Sequence, residues 1–200
     1  MKDMRVKLTF IEEVLGTSSN NPNIHSEFIA SKAPDAMSRE EEIAAIGAEN
    51  VEEKSITIFP KLEDGTPFAW DYQIKGFFKD ACGMLRNVPG TESAKIKAYK
   101  KYIDGLVFLE ERKIPFTNYG EIGECQRPLR GQTAQGERIA LAHSETVQAG
   151  SELTFTIWIL KEDMEKVIRE WLDYGKLRGM FQWRNSGKGR FTWEELPEDN

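Results

Sequence analysis

Val6, Leu8 and Phe10 alternate with Arg5, Lys7 and Thr9. That period of two predicts a half-buried strand over 5–11. The same period returns at 151–160, where Leu153, Phe155, Ile157 and Ile159 share one face. Between them the spacing changes. Ile74, Phe77, Phe78, Ala81, Cys82 and Leu85 recur at helical intervals, and so do Met164, Val167, Ile168, Trp171 and Leu172. These stripes predict amphipathic helices over 72–86 and 162–174. Gly76 and Gly83 inside the first helix each cost about 1 kcal/mol against alanine, so the expectation there is close packing or the approach of a backbone. Shorter apolar runs at 55–59, 105–109, 112–116, 138–142 and 190–193 read as strands. Asp64-Gly65 reads as a hairpin turn.

Polar stretches punctuate this pattern. Residues 16–23 are turn-forming, and 25–30 read as a short helix. Residues 92–101 carry four lysines and read as surface. Residues 119–137 hold four glycines and a proline, the composition of a long loop or a distorted hairpin, and carry Arg127 and Arg130. Residues 31–54 form an insertion. Its stretch 34–53 holds seven acids and one base, and Ser38 stands three residues before Glu41, a capping-box spacing. An acidic helix is expected at 39–46. The order of elements is strand, insertion, helix, strands, helix, strand. It predicts an α+β fold with helices on a mostly antiparallel sheet.

Composition narrows the picture. At 200 residues and 40% hydrophobic content the chain can build a core, and one domain spanning 1–200 is expected. The net charge of −6 excludes a uniformly basic nucleic-acid coat and confines any polyanion site to a local patch. Cys82 and Cys125 match no metal-ligand spacing and are expected to stay reduced. The N-terminal segment lacks an apolar run of signal-peptide length, and the longest apolar stretches are too short to span a bilayer. A soluble, cytoplasmic protein without membrane contact is expected.

Against the acidic background one segment stands out. Residues 175–193, GKLRGMFQWRNSGKGRFTW, hold four glycines, five cations and two tryptophans, and no acid. Glycine lets a backbone approach closely and take positive φ. Arg184, Lys188 and Arg190 suit phosphates, with Lys176 and Arg178 in the same segment. Trp183 or Phe181 suits stacking on a base, which favours a single strand with exposed base faces. Lys75, Lys79 and Arg86 on the first helix, and Arg127 and Arg130, extend the candidate surface. The sober alternative is that the tryptophans are core and the arginines pair with the chain's own acids.

Three blocks, IKGFFKDACGMLR at 74–86, RIALAHSETVQAGSELTFTIWIL at 138–160 and YGKLRGMFQWRNSGKGRFTWEEL at 174–196, resemble the RAMP superfamily of CRISPR-associated proteins, the Cas7, Cas5 and Cas6 type. Gly179, Gly187 and Gly189 are similar to that family's glycine-rich loop. The resemblance implies a modified ferredoxin-like, RRM-type core and RNA binding along the sheet and the loop. The style of the sequence also resembles small prophage proteins. The acidic insertion departs from the family pattern, and nothing matches the catalytic histidine of processing members.

Catalytic signals are weak. SGKGR at 186–190 lacks the order of a phosphate-binding P-loop. His143, Ser144 and Glu145 are consecutive, so their side chains cannot converge as a triad. No metal or cofactor motif is found. The leading expectation is therefore a non-enzymatic protein that binds single-stranded RNA or DNA, RNA preferred, with copies assembling on the ligand. One alternative is a phage-encoded anti-defence factor that meets a basic protein partner through its acidic insertion. Another is a nuclease of RNA, either metal-dependent or dependent on His25 or His143.

Overall fold

A computed structural model describes residues 2–19, 56–133 and 136–197, without the side chains of 19, 129–133 and 136–140. The acidic insertion at 31–54 and His25 lie outside the described residues. In chain order the strands and helices are β1 (Lys2–Phe10), β2 (Val14–Leu15), β3 (Ser18–Ser19), β4 (Thr57–Ile58), β5 (Phe68–Trp70), α1 (Asp71–Leu85), α2 (Tyr99–Leu106), β6 (Val107–Leu109), β7 (Lys113–Thr117), β8 (Gly123–Thr133), β9 (Gly136–Val147), β10 (Glu152–Ile159), α3 (Met164–Arg178) and β11 (Phe191–Glu195). Short 3₁₀ turns occupy Ser93–Lys95 and Arg184–Ser186. This is an α+β fold. The chain divides into two compact units, one of 1–14, 60–121 and 147–200, the other of 15–59 and 122–146.

The first unit carries the ferredoxin-like core. Its sheet runs β11-β1-β10-β7-β5, with β6 also paired to β10. Strands β1 and β10 pair antiparallel, with Val6 opposite Phe155 and Leu8 opposite Leu153. On the other side of β1, Phe10 pairs with Phe191. The alternation read from the sequence fixes which face is covered. Met4, Val6, Leu8, Phe10, Leu153, Phe155, Ile157 and Ile159 are all buried. Each such side chain removed from water contributes about 1.5–3 kcal/mol. The helices cover that face. Phe77 of α1 meets Phe191 edge-on at 5.2 Å, and a Cβ on Gly175 of α3 would stand 2.1 Å from the Phe191 ring.

Local chemistry explains several boundaries. Gln73 Oε1 accepts from the Trp70 amide at 2.8 Å and ties down the start of α1. Gly65 takes φ +86°, closing the turn where Leu62 and Thr66 meet. Gly83 packs against the Tyr99 hydroxyl, as close packing requires. Gly76 has open space instead, so its expected close approach is not found. Helix α2 is a correction to the sequence reading, because Tyr99–Leu106 is helical before the strand begins at Val107.

The second unit is built on the β8–β9 hairpin, which settles the choice between loop and hairpin at 119–137. Strand β9 runs on to Val147, well past its expected end. Arg127 lies opposite Ala142 and Arg130 opposite Ile139 in its register. Strands β2, β3 and β4 complete this second sheet.

Candidate nucleic-acid interface

The glycine-rich segment is compact and folds upon itself. Gly179, Gly187 and Gly189 all have positive φ, and so do Phe181 (66°) and Trp183 (61°). A non-glycine residue held there costs about 1–3 kcal/mol, which the surrounding contacts must offset. The Met180 amide donates to the Gly189 carbonyl at 2.9 Å, and a Cβ on Gly189 would lie 2.0 Å from the Met180 oxygen. The glycines permit this strand-on-strand approach within the loop itself. Phe181 packs at 6.1 Å from both Phe10 and Phe116, at the edge of the core.

The loop's cations are matched by the chain's own carboxylates. Arg178 Nε and Arg184 Nη1 both donate to Asp80 Oδ2 on α1, at 2.9 and 2.7 Å. Lys188 pairs with Glu13, and Arg190 donates to Glu12 at 2.8 Å. Arg178 also reaches Asn185 at 2.7 Å. The segment looked free of acid in sequence because its counter-ions come from β1's exit and from α1. The expectation of an open cationic loop is therefore corrected: these groups are joined in ion pairs, and only Lys176 stands exposed outside them.

The other predicted cations scatter. Lys79 pairs with Asp104 at 2.6 Å. Lys75 donates to the Asp104 carbonyl at 3.3 Å and sits 4.7 Å over the Phe108 ring, where burial lowers its pKa. Arg86 is exposed and lies over Tyr99 at 5.4 Å. Arg127 is half-buried in the second unit, and burial lowers its pKa too. Of Arg130 only the backbone position is described. The structure thus gathers Arg178 and Arg184 on one carboxylate, and Lys75 and Lys79 beside another residue, Asp104.

On the sheet face away from the helices, carboxylates again meet the donors. Lys7 stands between Glu194 at 2.5 Å and Glu152 at 3.8 Å. Thr156 at the sheet's centre is held by Glu111, which accepts from its amide at 2.8 Å.

A different cluster combines aromatic rings with exposed cations. Trp70, at the end of edge strand β5, and Tyr72, in the first turn of α1, lie nearly parallel, with ring centroids 6.2 Å apart and planes at 16°. Phe68 meets Trp70 edge-on at 4.9 Å. Arg112 lies 5.5 Å from the Trp70 ring and 5.9 Å from that of Tyr72. Lys113 lies 5.4 Å from Phe68 and 5.8 Å from Trp70. The Arg112 side chain is 66% exposed although Asp71 holds it at 2.5 Å, and Tyr72 is 50% exposed. Burial raises the Tyr72 pKa. Antiparallel pairing of β5 with β7, Trp70 opposite Lys113, brings these residues together. None of these residues belongs to the cationic and aromatic segments that stand out in the sequence. The signal available was the alternation Phe68, Trp70, Tyr72 running into a helix, with an Arg-Lys pair where a later strand begins.

The consecutive residues Ser144 and Glu145 do not converge on one point. Ser144 Oγ lies 2.7 Å from Thr57 Oγ1, while Glu145 accepts from the Phe59 amide at 2.9 Å, so the two neighbours serve different partners. Among the described residues no group of acids, histidines and cysteines is placed to hold a metal, and no helix is long and apolar enough to cross a membrane.

No family model matches the chain, and no curated protein matches it. Among solved structures the chain is similar to one from the Type III-B Cmr-beta complex bound to cognate target RNA, with a TM-score of 0.53 at 14% identity. The match covers 98% of this chain and 60% of that one, so this chain spans less than two thirds of its neighbour's length. At that identity the likeness establishes the fold alone: the chain shares the ferredoxin-like α+β architecture of that neighbour.

Proposed function

We propose that this chain is a non-enzymatic protein that binds single-stranded nucleic acid, RNA in preference to DNA, at the aromatic edge of its main sheet. The observation that carries the reading is the stacked pair Trp70 and Tyr72 beneath Arg112. Bases of a single strand offer flat faces to rings, worth about 1–3 kcal/mol each. Arg112 and Lys113 supply charge where phosphates between stacked bases would run. Protection of an edge strand accounts for rings that cover β5. It does not account for two exposed cations held over those rings.

The preference for RNA draws support from the fold shared with a component of a complex bound to target RNA. In this reading the glycine-rich loop braces the sheet, and its cations hold the loop together through Asp80, Glu12 and Glu13. Side-by-side copies on one strand fit a sheet edge used as a track.

The test is fluorescence polarisation with labelled single-stranded RNA and DNA oligonucleotides at low salt. Tyr72→Ala and Arg112→Ala should each weaken binding by about tenfold, and RNA should bind more tightly than DNA. The absence of any polarisation change with both oligonucleotides at low salt removes the reading. Light scattering of the complex then counts the copies per strand.

A further inference from the structure

A pocket of about 290 Å³ lies in the first unit, lined by Lys95, Lys97, Tyr102, Lys161, Ile96 and Met164 among others. That volume lies just below the roughly 300–1,000 Å³ of small-molecule sites. Its composition is specific. Three lysines border a floor supplied by Ile96, Tyr102 and the buried Met164. Lys161 Nζ is 6.0 Å from the Tyr102 ring centroid.

The pocket is held in place from beneath. Glu170 of α3 accepts from the amides of Glu92 and Ser93 at 2.7 and 3.0 Å and from Ser93 Oγ at 2.5 Å. Ser93 Oγ in turn accepts from Trp171 Nε1 at 3.0 Å. This part-buried network fixes the turn Ser93–Lys95 on α3, so Lys95 and Lys97 start from a braced base. Two carboxylates serve the rim: Glu92 holds Lys95 at 2.7 Å and Asp163 holds Lys161 at 3.3 Å. The Asp163 side chain is 83% exposed and free to turn to water. Lys97 pairs with no carboxylate among the described residues.

We propose that this pocket binds one nucleotide unit, its base against Tyr102 and its phosphate among Lys95, Lys97 and Lys161. An apolar floor with an open ring recognises a planar group, and ammonium groups around it recognise a phosphate. A phosphate alone leaves the floor unused, and a nucleoside alone leaves the lysines unused. The unit has two sources, a free mononucleotide or the phosphorylated end of a strand, and the chemistry at the pocket is common to both. The proposal stands apart from the sheet-edge reading, since the residues do not overlap.

The experiment titrates the full chain by calorimetry with AMP, adenosine, ribose 5-phosphate and inorganic phosphate. The same titration uses a short RNA with and without a 5′-phosphate. AMP should bind more tightly than each of its parts by about tenfold or more. Lys97→Glu and Tyr102→Ala should each weaken AMP by about tenfold. Both positions are exposed, so the variants are expected to fold, and circular dichroism checks that they do. Tyr72→Ala should leave AMP binding unchanged, which separates this site from the sheet edge. A 5′-phosphate that strengthens RNA binding in the wild type but not in Lys97→Glu assigns the strand end as the source; no such effect assigns the free nucleotide. No AMP binding at millimolar concentration, equal binding of AMP and inorganic phosphate, or unchanged AMP binding in folded Lys97→Glu and Tyr102→Ala overturns the proposal.

Discussion

Arg184 donates through Nη1 to Asp80 Oδ2 at 2.7 Å, across 104 residues of sequence. The same oxygen accepts from Arg178. One carboxylate thus accepts from two cations of a segment that carries no acid of its own, and ties the loop to α1.

Removing that carboxylate should loosen the loop. Asp80→Ala leaves two guanidinium groups, each under a third exposed, without their shared partner. We expect a loss of about 1–2 kcal/mol, between the values for exposed and buried pairs. Urea unfolding monitored by tryptophan fluorescence measures it. An unchanged midpoint would show that the pairs contribute nothing net.

Loop cations and edge cations should separate in salt-dependence experiments. Each phosphate contact to a single strand adds about 0.7 to the slope of log K against log salt. Arg112→Ala should lower that slope by one such step, while Arg184→Ala should lower stability and leave the slope alone. The reverse pattern would return the ligand to the loop.

Gly189 and Gly65 make a matched pair for the cost of close approach. Both have left-handed φ, 68° and 86°, but a Cβ at 189 meets the Met180 carbonyl oxygen at 2.0 Å and one at 65 meets nothing within 4 Å. Gly65→Ala should cost about 1 kcal/mol through backbone strain. Gly189→Ala carries the same strain plus the clash, and we expect at least about 2 kcal/mol more. Equal denaturation midpoints for the two variants would refute the self-packed loop.

Glu165 sets a pH dependence. Lys2 at 2.7 Å, and then Arg169 at 2.9 Å, hold its carboxyl below the ordinary carboxylate value. The unfolded state therefore binds a proton more readily, so the stabilisation is present above the ordinary pKa of about 4.3 and is lost as pH falls through the lower folded value. The difference in melting temperature between wild type and Glu165→Gln should be clear at pH 7 and shrink below pH about 4. A difference that stays constant across that range would refute the linkage.

The elements legible in the sequence were those with long, clean periodicity. The alternation at 5–11 and 151–160 placed β1 and β10 and their buried faces. The stripes on α1 and α3 placed both long helices, because an apolar face must be covered whatever the partner. Helix α2 escaped because only Ile103 in it is buried, so its exposed residues carry no stripe. The hairpin β8–β9 was ambiguous because glycine and proline mark loops and distorted strands alike.

Local pattern, then, dictated the α+β class, the main strands and helices, and the presence of a cationic glycine-rich segment. Tertiary structure alone decided what those cations do, since Asp80, Glu12 and Glu13 reach them from more than ninety residues away in sequence. It also assembled Trp70 and Tyr72 with Arg112 and Lys113 by pairing β5 with β7. Charge and ring contacts act over a few ångströms in space, and one-dimensional spacing carries no record of which distant residues the sheet register will bring that close.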